Sequence, residues 1–99
     1  MHIVFQRSGG FAGITINFEV NTESLPPEEA RQICEWVESA KFFELPEVLN
    51  SSGADQLQYK ISVEKDGKTH TVEIDERAMP ASLSPLVKWL MAARRGATR

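Results

Sequence analysis

Few residues of this sequence carry side chains suited to nucleophilic or metal chemistry: one cysteine, Cys34, and two histidines, His2 and His70. Cys34 and His70 could in principle pair as a nucleophile and its base. Cys34 follows Ile33 in the middle of a predicted helix, however, where a small side chain is expected to pack at least half-buried. The sequence contains no HExxH, CxxC or phosphate-loop motif. We therefore predict that the protein is not an enzyme and that it has no catalytic residue, no metal ligand and no cofactor.

Two neighbouring carboxylates, Asp75 and Glu76, follow the last predicted strand and could form an acid–base pair. Nothing close to them in the sequence supplies the second acid or the ligand set that such a site requires. A solvated strand end explains these residues better, and we expect both side chains to face water.

A glycine-rich segment, RSGGFAG at residues 7–13, separates two runs that alternate in the manner of β-strands. A tight hairpin turn needs only two residues and no aromatic side chain. The segment does not open a helix and lacks the lysine and serine or threonine of a phosphate-binding loop. Because glycine permits positive φ angles, two interpretations remain. Either Phe11 folds back over the end of the sheet, or it is displayed for a partner.

Period-two patterns predict two antiparallel hairpins. Ile3 and Phe5 begin the first strand, and ITINFEV at residues 14–20 places its four apolar residues on one face of the second. The third and fourth strands lie in QLQYKISVEKDGKTHTVEID at residues 56–75. They are joined at Asp66-Gly67, a sequence typical of tight hairpin turns.

Two helices complete the predicted fold. The first is entered through Pro26 and Pro27 and is expected to end near Lys41, and the second, SLSPLVKWLMAARR at 82–95, has Ser84 as its expected cap. The apolar face of the first helix consists of Ala30, Ile33, Val37 and Ala40, and that of the second of Leu83, Leu86, Val87 and Leu90. The order ββαββα predicts a single α+β domain over residues 1–99, with a four-stranded antiparallel sheet and two helices on one face.

Composition and charge argue against several classes of protein. Apolar residues make up 41% of the 99 residues and charged residues 25%, which is typical of a globular domain. The net charge of −3 argues against nucleic acid as a partner, and no apolar run is long enough to span a bilayer. No signal peptide is recognisable, and a lone cysteine suits a reducing compartment. We expect a cytoplasmic protein that binds neither nucleic acid nor membrane.

Five motifs follow one another along the chain: RSGGFAG, then SLPPEEA at 24–30, KFFELP at 41–46, THTVEIDE at 69–76, and the P-x-x-L-x-P-L-x-x-W-L arrangement from Pro80 to Leu90. In this order they resemble the emfourin family of small protein inhibitors of protealysin-like (thermolysin-like) zinc metalloproteases. Together they cover most of the chain. The resemblance implies a bacterial, intracellular inhibitor of such a peptidase, which carries the zinc. We expect the chain to be a monomer when free and to form a 1:1 complex with the peptidase.

The resemblance favours display of the glycine-rich segment. Thermolysin-like peptidases as a class prefer a bulky apolar side chain just after the scissile bond, and Phe11 at the tip of a hairpin is expected to fill that pocket. Met79 and Pro80, in the segment ERAMPAS, would join the same interface if both segments lie at one end of the sheet. The residues expected to contact the protease are Arg7, Ser8, Gly9, Gly10, Phe11, Ala12, Gly13, Met79 and Pro80.

An alternative interpretation is a non-inhibitory protein–protein interaction module or adaptor. Such a protein would use the open face of the sheet, or Trp89 on the second helix, and would leave the activity of a bound peptidase unchanged. An inhibitor, in contrast, must lower that activity and resist cleavage.

Overall fold

The structure is a computed structural model that describes residues 1–9, 15–49 and 58–97, except for the side chains of 94–97. The strands within these residues are β1 (His2–Ser8), β2 (Ile16–Asn21), β3 (Val48–Leu49), β4 (Gln58–Lys65) and β5 (Lys68–Asp75). The helices are α1 (Pro27–Ser39) and α2 (Ser84–Ala97), and single 3-10 turns lie at Thr22–Ser24, Phe42–Glu44 and Glu76–Ala78. The predicted order of elements is thus present, with one strand added between α1 and β4.

The sheet differs from the predicted four antiparallel strands, because it is mixed and has five strands in the order β2-β1-β4-β5-β3. β3 runs parallel to β5, with Val48 opposite Glu73, and the Glu73 amide donates a hydrogen bond to the Glu47 carbonyl at 2.8 Å. A strand of two residues is too short to produce a period-two pattern, so this stretch looks like a loop in the sequence. The four-stranded prediction was wrong in this respect, while the other four strands pair antiparallel as expected.

Strand register places the apolar side chains on one face of the sheet. Phe5 of β1 lies opposite Phe18 of β2 and Ile61 of β4. Since alternate residues of a strand share a face, the buried strand residues point to the same side: Ile3, Phe5, Val20, Ile61, Val63, Val72 and Ile74. Ile14 and Leu57, which the sequence pattern also assigns to this face, lie outside the described residues.

Both helices cover this apolar face. Their buried residues belong to the same hydrophobic cluster as those of the strands: Ile33 and Val37 of α1, and Leu86, Val87 and Leu90 of α2. α1 begins at Pro27 and carries Glu28 and Glu29 in its first turn, where the positive end of the helix dipole favours carboxylates. α2 begins at Ser84, followed by Pro85. The prediction of two helices on one face is therefore confirmed.

The β4–β5 hairpin turns at Asp66 and Gly67, as the sequence predicts. Their φ angles are 53° and 78°, and two consecutive positive values are what a type I′ turn requires. Lys65 and Lys68 form the last pair before the turn. This tight turn fixes the register of β4 against β5, and hence which residues of both strands face the helices.

α1 ends in a left-handed residue that turns the chain back toward the sheet. Lys41 has φ 51° and ψ 49°, a conformation that costs a non-glycine residue about 1–2 kcal/mol. Its amide donates to the Glu38 carbonyl at 3.0 Å. The reversal brings Phe42 into the core, and His70 Nε2 lies 2.7 Å from the Leu45 carbonyl oxygen, so this segment is held against β5.

We expect Lys41→Gly to raise the free energy of unfolding by about 1 kcal/mol, because glycine adopts the left-handed conformation without a steric penalty. Lys41→Ala is the matched control, since it removes the same exposed side chain but keeps the penalty. The measurement is urea denaturation of the wild type and both variants. Equal stability of the two variants would show that residue 41 is not held in a strained conformation.

Candidate functional site

The strands that lead into the two predicted binding segments, β1 and β5, finish at the same end of the sheet. Ser8 at the end of β1 is in register with Gln58 at the start of β4, and Gln58 is in register with Asp75 at the end of β5. Two strand spacings, about 10 Å, therefore separate the point where the chain leaves β1 from the point where it leaves β5. We call the described residues at this end the loop-end surface: Arg7, Ser8, Gly9, Gln58, Tyr59 and residues 75–80.

Arg7 faces the helices rather than the open side of the sheet. It lies opposite Ile16 and Tyr59, and its Nη1 is 3.9 Å from the Sδ atom of Met91 on α2. A thioether sulfur is a weak acceptor, so the contact is mainly one of packing. Arg7 is half-buried between the end of the sheet and α2. A direct contact between Arg7 and a protease stays a prediction.

Ser8 and Gly9 lead from β1 into the glycine-rich segment. Ser8 lies on the open side of the sheet and is half-buried, whereas Gly9 is exposed. Gly9 has a φ of 103°, which other residues rarely adopt, so this glycine sets the direction in which the chain leaves the strand. The next four predicted contact residues, Phe11 among them, lie outside the described residues.

Met79 and Pro80 form the second part of the loop-end surface. Both are half-buried, and Met79 packs against the main hydrophobic cluster. The Pro80 carbonyl accepts hydrogen bonds from the amides of Leu83 and Ser84 at 3.0 and 3.2 Å, which fixes this segment to the start of α2. An open groove of about 580 Å³ runs alongside, lined by residues that include Tyr59, Glu76, Met79, Pro85, Val87 and Lys88.

Asp75 contradicts the expectation of a solvated strand end. The residue is only 2% exposed, and Nε2 of Gln58 donates a hydrogen bond to its Oδ1, which is not its only interaction. Glu76 is exposed, as expected. The expectation was wrong for Asp75 because sequence alternation gives no sign that a polar residue at a strand end will be covered. Burial of a carboxylate is costly unless it is hydrogen-bonded, so the partners of Asp75 are part of the fold.

The residues considered for nucleophilic chemistry have separate structural surroundings. Cys34 is half-buried on α1. His70 on β5 contacts the Leu45 carbonyl through Nε2 and meets Phe42 edge-on, with ring centroids 5.7 Å apart, so it packs as a structural side chain.

In the part of the chain that the structure describes, no three histidine, cysteine or acidic residues cluster as metal ligands. No helix there is long and apolar enough to cross a membrane.

A surface built from neighbouring strand ends and a groove beside them is suited to binding another protein. The Emfourin family model matches residues 5–91, which is nearly the whole chain, and the chain belongs to the emfourin family. The resemblance carried by the sequence motifs is thereby confirmed. This is a family of protease inhibitors, and its partners are metalloproteases. No curated protein and no solved structure matches the chain.

Two glycines with positive φ, Gly9 and Gly67, lie at opposite ends of the sheet and can test which end binds. Alanine at either position is expected to lower the free energy of unfolding by about 1–2 kcal/mol, and a Cβ at Gly67 meets no neighbour within 4 Å, so strain alone operates there. We expect only Gly9→Ala to weaken inhibition of a thermolysin-like peptidase, by at least about tenfold. The measurements are thermal melting and the inhibition constant. Equal inhibition by the two variants would exclude the loop-end surface as the contact region.

Proposed function

We propose that this chain inhibits a thermolysin-like (protealysin-like) zinc metalloprotease by covering its active-site cleft with the glycine-rich segment and with Met79–Pro80. The observation that carries the proposal is the register of Ser8, Gln58 and Asp75, because the chain leaves β1 and β5 at the same end of the sheet. A standard protein interface buries about 800 Å² on each partner, which requires more than one loop.

Described residues on either side of positions 10–14 are paired in the sheet. Among these residues, Arg7 and Ile16 are the pair of β1 and β2 nearest to those positions, and Arg7 is also paired with Tyr59 of β4. Ordering a free backbone costs about 1–2 kcal/mol per residue. Pairing of the flanking residues supports binding because part of this cost is met when the inhibitor folds rather than when the protease binds.

Phe11 is proposed to enter the pocket that thermolysin-like peptidases offer to the residue after the scissile bond. The Gly10–Phe11 bond would then approach the catalytic centre of the protease, whose zinc belongs to the protease and not to this chain. Inhibition requires that this bond remain uncut. Strands that hold the two ends in place support slow hydrolysis, because productive attack depends on closely defined geometry between the water and the carbonyl carbon.

The proposal includes a 1:1 complex, a monomeric free inhibitor and a bacterial cytoplasmic setting. The half-buried thiol of Cys34, as a lone cysteine of the sequence, suits a reducing compartment. The stoichiometry and the free state are open to direct measurement by analytical ultracentrifugation of the chain with and without a peptidase.

Titration of a thermolysin-like peptidase with the purified chain tests the proposal directly. We expect activity to fall in proportion to added chain and to reach its minimum at one equivalent, with the 11.1 kDa chain intact by mass spectrometry. Full activity in the presence of a bound chain would support the adaptor interpretation instead. Rapid cleavage at Gly10–Phe11 would show that the chain is a substrate.

Phe11→Ala tests the proposed anchor. We expect this change to weaken inhibition by at least ~2 kcal/mol, about thirtyfold, as for a buried aromatic at the centre of an interface. Phe43→Ala is the matched control, because Phe43 is a half-buried phenylalanine that packs 6.1 Å from the His70 ring, toward the opposite end of the sheet. This control is expected to lose stability and to keep its inhibition constant. If Phe11→Ala melts much lower and inhibits normally, Phe11 belongs to the core.

A further inference from the structure

We propose that the side-chain contact between Gln58 and Asp75 holds the loop-end surface in its inhibitory shape, which makes these two residues positioning residues for protease binding. The inference rests on the proposed function and adds to it two residues that lie outside both contact segments. It starts from the buried carboxylate of Asp75, which is 2% exposed and lies at the boundary between the sheet and the Met79–Pro80 segment.

The chain path shows why this contact lies between the two segments. Asp75 is the last residue of β5 and is followed directly by the 3-10 turn at Glu76–Ala78 and then by Met79. Gln58 is the first residue of β4 and lies opposite Ser8 of β1. The Gln58–Asp75 hydrogen bond therefore joins the strand that carries one contact segment to the strand that flanks the other.

The contact lies at the end of the described pairing between β4 and β5. Gln58 and Asp75 are the last pair of these two strands among the described residues at this end, next to the point where the chain leaves β5. A hydrogen bond to a carboxylate oxygen is generally stronger than one between neutral groups, and Asp75 has a further interaction besides this one. The side-chain contact thus adds a link between the start of β4, which lies beside Ser8 of β1, and the end of β5.

The same two strands contain a second side-chain contact that serves as an internal control. Ser62 Oγ lies 2.7 Å from Thr71 Oγ1, and these residues are directly opposite each other on β4 and β5. They share the open face of the sheet with Gln58 and Asp75, because each is an even number of positions away along its strand. This contact joins the same strands but adjoins neither contact segment.

Gln58→Leu and Ser62→Ala separate a positioning role from general stability. The leucine keeps the approximate length of the Gln58 side chain and removes its hydrogen-bond donor. Because Gln58 is exposed, we expect the variant to fold. We expect Gln58→Leu to raise the inhibition constant by at least about tenfold and to speed cleavage within residues 7–13, because the segment is less well held. Ser62→Ala is expected to lower the melting temperature to a similar degree and to leave both inhibition and cleavage unchanged.

Exchanging the amide and the carboxylate between residues 58 and 75 tests whether a restored contact also restores inhibition. Gln58→Glu alone places a second carboxylate against Asp75 and is expected to weaken inhibition as much as Gln58→Leu, because like charges repel. Combining Gln58→Glu with Asp75→Asn restores one amide and one carboxylate with donor and acceptor exchanged, and we expect the inhibition constant to return to within about threefold of the wild-type value.

The outcomes distinguish this inference from the proposed function. A wild-type chain that fails to inhibit any thermolysin-like peptidase overturns the proposed function. A wild-type chain that inhibits while Gln58→Leu and Ser62→Ala behave alike overturns only the positioning role of Gln58 and Asp75. If the double variant melts normally but its inhibition constant does not return toward the wild-type value, the contact between residues 58 and 75 does not position the surface.

Discussion

The pairing of β1 with β4 is the interaction on which the rest of the structure depends. It joins strands from the two halves of the chain, from His2 opposite Glu64 to Ser8 opposite Gln58, and so makes one sheet from two hairpins. A two-stranded hairpin alone is at best marginally stable in water. At the centre of this pairing Phe5 and Ile61 are fully buried, and Phe5 also stacks on Tyr59 with ring centroids 6.0 Å apart.

The difference between the two faces of the sheet follows from this pairing. One face carries the buried apolar residues and both helices. The other carries polar contacts between neighbouring strands, such as Gln6 with Asn17 at 2.9 Å and Ser62 with Thr71 at 2.7 Å. Such polar contacts are typical of a sheet face that is exposed to water.

The half-buried Trp89 packs against the hydrophobic cluster, so its ring contributes to the fold as well as to the surface.

The sequence was sufficient to predict the elements that are specified by residues close together in the chain. Alternating residues predicted four strands, Asp66-Gly67 predicted the hairpin turn, and Pro27 marked the first turn of α1. β3 was missed because its two residues are stabilised by their neighbour β5 rather than by a pattern of their own. The burial of Asp75 was missed for a similar reason, since its partner Gln58 lies 17 positions earlier in the chain.

The candidate site was predictable only in part. Motifs selected the segments around Gly9 and Met79, but the order ββαββα does not specify that β1 lies beside β4. That pairing puts the last residues of β1 and β5 at one end of the sheet. The direction of Arg7 was available from the sequence. Arg7 is in phase with Ile3 and Phe5, so the alternation that predicts a buried face also assigns Arg7 to the side of the helices.

The central position of β1 has a consequence for a chain that has been cut. Hydrolysis within residues 10–14 would cut the link between β1 and β2, yet β1 is paired along both edges, with β2 and with β4. Its Ile3 and Phe5 side chains are fully buried, and each such side chain contributes about 1.5–3 kcal/mol by leaving water. We therefore expect β1 to remain seated in the sheet, so that a nicked molecule keeps the architecture of the intact one.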